Sequence, residues 1–422
     1  MDFERVYSSY MYSYPHKTAY RELNVKFSEY AERLRSEQGS NLYFHIPFCT
    51  SKCGYCNLFS VTGKEAEYFS KYIDALEKQA EWVERVVGSD CWESVTIGGG
   101  TPLILAENQL EELFKIGLRL TNGKKVPICI ETAPGETTES KLDILKKFGV
   151  DRISIGVQSF NNDELLALKR FHNVEKAEKA LKSIGKYNFP CLNIDLIYGI
   201  EGQTLDSLKY SVDSALKYFP DELFIYPLYI RKGTGLHKSG RLEGGKTYEM
   251  YLFLREYLSE KGFLQTSMRR FTRQKPLNER SCGFENTVSI GCGGRSYIGN
   301  LHFCHPYSVN RRECLETIDD YIKNPCKDDI SHGFLLDREE EKRRFTIKNL
   351  LWTGGVSLPE YKEYFESDVG NDFPFINEFK EKGYICENDG VIQLTPLGLS
   401  LSDFIGPRFI STHVSRLMEG SV

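Results

Sequence analysis

The sequence predicts an α/β fold, in which a partial (β/α)6 barrel precedes a winged-helix-like α+β domain at the C-terminal end. Between about residues 41 and 235, short apolar runs alternate with longer segments of helical periodicity, as in repeated βα units. Unusual polar residues follow several of these runs, where the loops of a barrel converge on one face. A fresh pattern of three helices and a hairpin begins near residue 338.

Six apolar runs predict the barrel strands. They are Leu42 to Ile46, Ser94 to Ile97, Pro127 to Glu131, Arg152 to Ile155, Cys191 to Leu196 and Glu222 to Tyr229. Helices are predicted between them, for example from Lys64 to Val87, where Tyr68, Tyr72 and Leu76 recur at helical spacing. Because a closed barrel of this kind needs eight units, six units predict an open one.

The whole chain divides into four predicted segments. They are an N-terminal arm (1–40), the barrel (41–235), a barrel extension with Cys- and Gly-rich loops (236–337) and the winged-helix-like domain (338–422). In the last segment the predicted elements are helices Glu339 to Leu351, Leu358 to Phe365 and Phe373 to Lys382, and a hairpin from Tyr384 to Leu394. Because none of these helices concentrates Lys and Arg, we expect the domain to cover the barrel rather than to bind DNA.

Composition excludes several classes of protein. The 54 Lys and Arg residues are interleaved with 59 Asp and Glu residues, for a net charge of −5, so neither nucleic acid nor an anionic membrane is an expected partner. The N-terminus lacks a secretory pattern, and we expect a cytoplasmic protein. In a reducing compartment, the twelve cysteines suit metal ligation and core thiols better than disulfides, with Cys91, Cys129 and Cys191 predicted as buried thiols.

The candidate metal ligands are Cys49, Cys53 and Cys56, spaced Cys-x3-Cys-x2-Cys directly after the first strand. A loop of this spacing can present three thiolates to one face of a [4Fe–4S] cluster. Electron carriers hold such clusters with four cysteines, so three predict an iron with a vacant position that can bind another molecule. The alternative is a zinc site of Cys3His type that uses His45 or a distant ligand, although zinc sites usually pair their ligands as Cys-x2–4-Cys and His-x3–5-His.

The cysteine loop and its companion motifs resemble the radical S-adenosylmethionine (SAM) superfamily, and within it the branch of oxygen-independent coproporphyrinogen III dehydrogenase (HemN-like). The resemblance covers roughly residues 8 to 420 and is most specific between Tyr43 and Gln203. It implies a [4Fe–4S] cluster and one or two SAM molecules as cofactors. It also implies reductive cleavage of SAM to a 5′-deoxyadenosyl radical, which abstracts hydrogen from an unidentified small-molecule or tetrapyrrole-like substrate. The electron donor would be a low-potential protein such as flavodoxin or ferredoxin.

The resemblance also implies which residues bind SAM. They are Tyr43, Tyr55, Gly99, Gly100, Thr101, Glu131, Gln158, Arg170 and Asp195. The residue types suit this task, because carboxylates accept from ribose hydroxyls, arginine grips a carboxylate and glycine exposes its backbone. Glu131 and Asp195 end apolar strands, where an unpaired carboxylate is costly to bury, whereas Arg170 could instead be a solvated charge at a helix end.

Further resemblances concern the substrate and a second SAM molecule. The segment from Ser289 to Tyr297 resembles the glycine-rich turn of a second SAM site, which predicts a contact from Tyr297 and would permit methyl transfer. The segment from Tyr12 to Pro15 resembles an arm that reaches towards the active site, which makes Tyr14 a candidate catalytic residue. His16, Lys17 and Tyr20 would then touch the substrate; the alternative is an exposed tail.

Two departures separate the chain from named relatives. The dehydrogenase has a further cysteine two residues after its third ligand, where Leu58 stands here, and the related haem chaperones have His-Asn-x-x-Tyr-Trp where this chain has Arg280 to Glu285. Cys282, in this replaced element, is predicted as a catalytic thiol. Together with Cys292 and Cys304 it could instead hold an auxiliary metal, although unligated thiols fit the spacing better. The main rival hypothesis is a haem-binding chaperone with a vestigial radical site.

Overall fold

The structure is a computed structural model that describes residues 11, 13–36, 39–240, 246–274 and 286–419. Within these ranges the chain forms sixteen strands. They are β1 (Arg21–Lys26), β2 (Ser40–Ile46), β3 (Trp92–Gly99), β4 (Ile128–Thr132), β5 (Arg152–Gln158), β6 (Cys191–Tyr198), β7 (Glu222–Pro227), β8 (Leu264–Gln265), β9 (Arg270–Thr272), β10 (Thr287–Ile290), β11 (Arg295–Ile298), β12 (Leu301–Cys304), β13 (Asp329–Leu335), β14 (Val356–Ser357), β15 (Ile385–Asn388) and β16 (Val391–Leu394).

The helices of the same ranges connect the barrel strands and build the C-terminal region. They are α1 (Phe27–Ser36), α2 (Ala66–Val87), α3 (Glu107–Leu120), α4 (Glu139–Lys147), α5 (Asn162–Ala167), α6 (Val174–Gly185), α7 (Leu205–Leu216), α8 (Gly235–Lys238), α9 (Thr247–Glu260), α10 (Arg311–Lys323), α11 (Arg338–Leu350), α12 (Leu358–Phe365), α13 (Val369–Asp372), α14 (Ile376–Glu381), α15 (Pro396–Ser400), α16 (Ser402–Ile405) and α17 (Thr412–Glu419). None of the described helices has the length and apolar character needed to cross a bilayer.

Six parallel strands, β2 to β7, lie side by side in chain order and are joined by helices. The pairing is continuous along this row, from Ile46 opposite Gly99 to Tyr198 opposite Pro227. Each of the six predicted strands is present. The outer strands β1 and β8 do not pair with each other in the described chain, so the sheet stays open. The predicted partial (β/α)6 barrel is therefore confirmed.

The sheet extends beyond the barrel at both edges. Strand β10 runs parallel to β2, with Val288 opposite Leu42, and β11, β12, β13 and β1 follow in antiparallel order. Strands β9 and β8 continue the opposite edge after β7. The sequence predicted only loops and short strands between Cys282 and Cys304. Strands of four residues carry too little periodicity to reveal partners that lie more than 200 residues away in the chain.

The C-terminal region contains the predicted winged-helix-like elements. Helices α11 and α12 match their predictions, and the hairpin of β15 and β16 turns at Asp389 and Gly390, both with positive φ. The third predicted helix is shorter, because Pro374 separates α13 from α14. Asp403 in α16 ties this region to the barrel, where its carboxylate accepts two hydrogen bonds of 2.5 Å from Arg269 and one from Tyr229.

Apolar side chains form one extensive core and one small separate core. The small core consists of five buried residues that lie beneath the cysteine loop: Leu168, Ile197, Ile200, Leu228 and Leu236. Tyr55, from the cysteine loop itself, packs against it. The loop is thus supported by its own apolar contacts, in addition to the main core that holds the sheet.

Candidate active site

A cavity of about 1630 Å³ opens at the carboxyl ends of the barrel strands. Its walls include residues from the barrel strands or the loops after them, from the N-terminal Lys17, from the β10–β11 turn, and from Ile410 and Met418 near the C-terminus. Pockets for one small molecule usually measure roughly 300–1,000 Å³. The cavity therefore has room for more than one ligand of that size.

The cysteine loop forms one wall of this cavity, to which Cys49, Cys53 and Cys56 all contribute. Backbone hydrogen bonds fix the loop, from the Cys49 amide to the Val61 carbonyl at 3.0 Å and from the Cys56 amide to the Cys53 carbonyl at 3.1 Å. The Thr101 hydroxyl donates to Cys49 Sγ at 3.8 Å. Burial, with the neighbouring Cys56 and Cys53 thiols, raises the pKa of Cys49 to about 11. In the absence of a metal the Cys49 thiol is protonated, so metal binding there would release a proton.

The outer side of the loop is clamped at Gly54, between the second and third cysteines. Its amide donates to the Leu168 carbonyl at 3.0 Å, and its carbonyl accepts from the Leu236 amide at 2.7 Å. Arg170, two residues after Leu168, donates from its guanidinium to Cys53 Sγ at 2.9 Å. The predicted SAM residue Arg170 thus lies in the cavity wall next to a candidate ligand, and is not a solvated helix-end charge.

The glycine-rich loop after β3 packs directly against the cysteine loop. Gly99 has φ of +115°, a conformation that side-chain-bearing residues rarely adopt, and its amide donates to Glu131 Oε2 at 3.3 Å. A Cβ added at Gly100 would lie 2.9 Å from Cys49 Sγ and closer still to the carbonyl oxygen of Phe48. Only glycine fits between the two loops, which explains the glycine at this position.

Two carboxylates face the cavity from neighbouring strands. The Glu131 side chain is accessible from the cavity yet enclosed by protein on its other sides; burial and the charge of Asp195 raise its pKa to about 7. Burial likewise raises the pKa of Asp195 to about 6, although a 2.7 Å hydrogen bond from Asn193 favours its ionised form. The buried Oδ1 of Asn193 has no hydrogen-bond partner in the described chain. Glu131 and Asp195 each accept a hydrogen bond from the protein and have capacity for more, which a ligand with several hydroxyl or amino groups could fill.

Tyr43 and His45 form a hydrogen-bonded chain behind the cysteine loop. Burial lowers the pKa of His45 to about 4, so its ring is neutral. His45 Nε2 lies 3.1 Å from the Phe59 carbonyl and must donate to it, which leaves Nδ1 to accept from Tyr43 at 3.1 Å. Both ring nitrogens of His45 are therefore used in hydrogen bonds, which leaves neither of them available as a zinc ligand in this arrangement.

The other predicted site residues have different placements. Gln158 is buried, lines the cavity and has a positive φ of 73°, a strained conformation of the kind found at functional sites. Tyr297 also lines the cavity. Tyr14 does not: its hydroxyl donates to Glu340 and accepts from the Ser411 amide at 3.3 Å, so the structure does not bring this predicted catalytic residue to the cavity. Cys282, the other predicted catalytic residue, lies outside the described residues.

Three cysteines differ from their predictions. Cys91, Cys129 and Cys191 are only partly buried, and Cys129 lines the cavity, where Arg152 donates to its Sγ at 3.2 Å.

Three arginines that lie close together in sequence each have a protein partner. Arg269 pairs with Asp403, Arg270 pairs with Glu222 and Arg273 donates to the Pro220 carbonyl at 3.0 Å. They stabilise the fold rather than form a free basic face.

A cationic group lines another part of the cavity, away from the carboxylates. It consists of Lys17, Arg231 and Arg295. The Lys17 ammonium lies 3.6 Å from the centre of the Tyr307 ring, and burial, with a contribution from Arg295, lowers its pKa to about 7. The sequence indicated Lys17 but not Arg231, which follows β7 in irregular chain where no pattern marks it. This part of the cavity suits an anionic ligand.

These features fit the cofactors that the sequence implied. Three thiols on one wall are the donors that iron–sulfur clusters use, and the adjacent glycine loop and carboxylate acceptors suit a small zwitterion with a ribose. An open (β/α)6 barrel with this cysteine loop after its first strand defines the class of radical SAM proteins.

Comparison with known proteins agrees. The family model of the radical SAM superfamily matches residues 43–215, and that of the HemN C-terminal domain matches residues 336–401. Both matches support a radical SAM, HemN-like family for this chain, and members of the radical SAM superfamily bind a [4Fe–4S] cluster and SAM.

Individual relatives carry two different names. The heme chaperone HemW of Bacillus subtilis is 27% identical over 382 residues, covering 87% of this chain and 98% of that protein. The oxygen-independent coproporphyrinogen III oxidase of Pseudomonas aeruginosa is 26% identical over 392 residues, covering 86% and 82%. The solved structure of coproporphyrinogen III oxidase (HemN) from Escherichia coli superposes with a TM-score of 0.81 at 21% identity, covering 95% of this chain and 98% of that one. The structural likeness establishes the fold, and the two names leave two candidate functions.

Proposed function

We propose that the chain is a radical SAM enzyme in which Cys49, Cys53 and Cys56 hold the [4Fe–4S] cluster. The observation that carries the proposal is convergence. Three thiols, the glycine-rich loop and the carboxylates Glu131 and Asp195 come from four separate βα units and meet in one cavity. A vestigial site would not need to keep costly buried carboxylates beside a partnered thiol loop.

A bound, reduced cluster would supply the one electron that cleaves SAM into methionine and a 5′-deoxyadenosyl radical, and this radical would take a hydrogen atom from the substrate. The residues of the chain bind and orient. Glu131 and Asp195 would accept from ribose hydroxyls, while Gly99 and Gly100 allow the backbone to approach the amino acid part. The guanidinium of Arg170, already bonded to Cys53 Sγ, would offset thiolate charge. Tyr43, Tyr55, Thr101 and Gln158 complete the proposed SAM pocket.

We propose that the substrate is an anionic small molecule, and a carboxylated tetrapyrrole is the leading candidate. Lys17, Arg231 and Arg295 line the cavity and would pair with its carboxylates. The Pseudomonas aeruginosa relative is also named for a tetrapyrrole, coproporphyrinogen III. A second SAM molecule at Tyr297 would add methyl transfer. We assign Tyr14 a positioning role, because its hydroxyl joins the N-terminal segment to Glu340.

Anaerobic turnover tests the enzyme proposal. Reconstituted protein with dithionite and SAM should release 5′-deoxyadenosine, and Cys53→Ala should abolish both the brown chromophore and the product. Cys386→Ala, in the β15–β16 hairpin, is the matched control and should behave as wild type. Wild-type protein that holds a full cluster yet releases no 5′-deoxyadenosine with any tetrapyrrole or cell extract would contradict the proposal.

The second candidate function is a heme chaperone. It is favoured by the Bacillus subtilis relative, of which the alignment covers 98%. Haem titration of the same preparation distinguishes the two. Tight, stoichiometric haem binding without 5′-deoxyadenosine supports the chaperone, whereas SAM cleavage that depends on an added substrate supports the enzyme.

A further inference from the structure

We infer that the outer side of the cysteine loop is the docking surface for an acidic, low-potential electron-transfer protein. This inference rests on the proposed function, because it concerns how the electron reaches the cluster. The surface, here called the donor face, is formed by Leu166, Lys169, Phe171, Lys232 and Lys238, all of them exposed.

The donor face is in direct contact with the candidate ligand loop. Lys169 and Phe171 belong to the same short segment as Leu168, whose carbonyl accepts from the Gly54 amide at 3.0 Å. Lys232 and Lys238 flank Leu236, whose amide donates to the Gly54 carbonyl at 2.7 Å. Lys169 Nζ donates to the Gly235 carbonyl at 3.2 Å and joins the two segments. A partner on this face would therefore be one hydrogen bond away from the loop that carries Cys53 and Cys56.

The chain segments that form the ligand loop and the donor face are rich in cations, although the Glu136 carboxylate accepts from Thr50 at one end of the loop. The segments 50–58, 166–172 and 231–238 contain no Asp or Glu. Their Lys and Arg residues are Lys52, Lys169, Arg170, Arg231, Lys232 and Lys238. With 59 acidic residues among 422, segments of this combined length would be expected to contain about three carboxylates, so a cationic surface stands out on a chain of net charge −5. Phe171 and Lys232 lie where the donor face meets the cavity, since both also line it, whereas Lys169 and Lys238 do not line the cavity and are separate from the cations facing substrate.

Exposed apolar side chains lie within this cationic surface. Leu166 is 72% exposed and Phe171 is 69% exposed, values well above those of most large apolar residues in the structure. Transient redox complexes bury small interfaces, less than roughly 1,200 Å², and charge complementarity guides their encounter. Apolar contacts inside a rim of lysines fit an acidic partner. A second copy of this net-acidic chain fits less well, because like-charged rims would meet at the face.

The inferred step transfers one electron and no other group. The donor, a reduced flavodoxin or ferredoxin, loses one electron, and the cluster gains it. Arg170 links the donor face to the metal site. Its neighbours in sequence, Lys169 and Phe171, belong to the donor face, and its guanidinium donates to Cys53 Sγ at 2.9 Å.

The test compares a charge-reversal variant with a matched control. Lys169→Glu/Lys238→Glu changes the donor face, and Lys115→Glu/Lys217→Glu makes the same charge change at exposed positions on the outer helical layer. Binding of oxidised flavodoxin is measured by calorimetry at low and high salt. Cluster reduction by photoreduced flavodoxin and by dithionite is followed by low-temperature paramagnetic resonance.

The donor-face variant should bind flavodoxin at least tenfold more weakly, with little remaining salt dependence, while dithionite still reduces its cluster and the control behaves as wild type. Phe171→Ala, which keeps every charge, should also weaken binding. Unchanged binding in both donor-face variants overturns the inference, and so does a wild-type dimer that the charge reversal dissociates. Flavodoxin binding is measured without turnover, so its result tests the donor face alone. Absence of 5′-deoxyadenosine when dithionite is the reductant would instead count against the proposed function.

Discussion

Replacing Gly100 by alanine should damage the cysteine loop without altering any candidate ligand. The new Cβ would lie 2.9 Å from Cys49 Sγ and nearer to the Phe48 carbonyl oxygen. Ordinary contacts between such atoms are about 3.5 Å or longer, so clearing Cys49 Sγ needs a shift of roughly 0.6 Å and clearing the Phe48 oxygen needs a larger one. Neither side can move freely, because the Thr101 amide donates to the Phe48 carbonyl at 2.8 Å and the Cys49 amide is bonded to Val61.

The size of the effect follows from overpacking. Extra methylenes in a tightly packed site usually cost about 1–3 kcal/mol. If this strain falls on the loop that binds iron, affinity for the cluster should fall roughly 5- to 150-fold.

Gly135 provides the matched control, since it lines the same cavity but a Cβ there meets nothing within 4 Å. Iron and sulfide content, visible absorbance and SAM affinity would be measured after identical anaerobic reconstitution. Gly100→Ala should retain less iron and bind SAM more weakly, whereas Gly135→Ala should match wild type. Equal iron content and SAM affinity in the two variants would refute the argument that these loops are packed without spare room.

Three further predictions concern the carboxylates, the C-terminal region and the cationic group. Burial raises the pKa of Asp195 from 3.8 to about 6, so the folded chain holds this proton more tightly than the unfolded chain does. The contribution of protonated Asp195 to the free energy of unfolding is therefore complete below pH 3.8 and is lost as the pH rises through 6. Asp195→Asn should therefore stabilise the ligand-free chain at pH 8 by about 1–2 kcal/mol, a value that allows for screening by water in the cavity, and should change its stability little at pH 4. Urea unfolding at the two pH values measures this difference, and a variant less stable than wild type at pH 8 would contradict the prediction. Asp403→Asn leaves the buried Arg269 without its counter-ion and should cost about 3–5 kcal/mol in thermal unfolding, part of which a second change, Arg269→Met, should restore; an unchanged Tm would be the opposite result. Arg295→Gln should weaken binding of a carboxylated tetrapyrrole at least tenfold while SAM affinity stays constant, as measured by fluorescence quenching and calorimetry; equal loss of both affinities would place Arg295 elsewhere in the mechanism.

Much of the fold could be predicted because its barrel strands are strongly apolar. Runs such as Arg152 to Ile155 are buried on both faces, and this burial leaves a clear signature in the sequence. The extension of the sheet could not be predicted in the same way. Strand β10 has four residues, and its position beside β2 depends on packing between parts of the chain that are distant in sequence.

The candidate site was predictable where spacing or a resemblance constrained it. Cys49, Cys53 and Cys56 needed only their own spacing, and Glu131 and Asp195 needed only the ends of their strands. Arg231 was missed because an arginine in an irregular segment looks like any solvated charge until the fold brings it near Lys17. Tyr14 shows the reverse case, since a motif indicated the cavity while the structure directs its hydroxyl to Glu340.

The small apolar core beneath the cysteine loop is separate from the main core, which instead contains Phe48 and Val61 at the two ends of the loop. Regions with few buried apolar contacts open at a lower free energy than the body of a protein. Local opening around Tyr55 would therefore expose the cysteines while the sheet stays folded, and would give iron and sulfide a route to them.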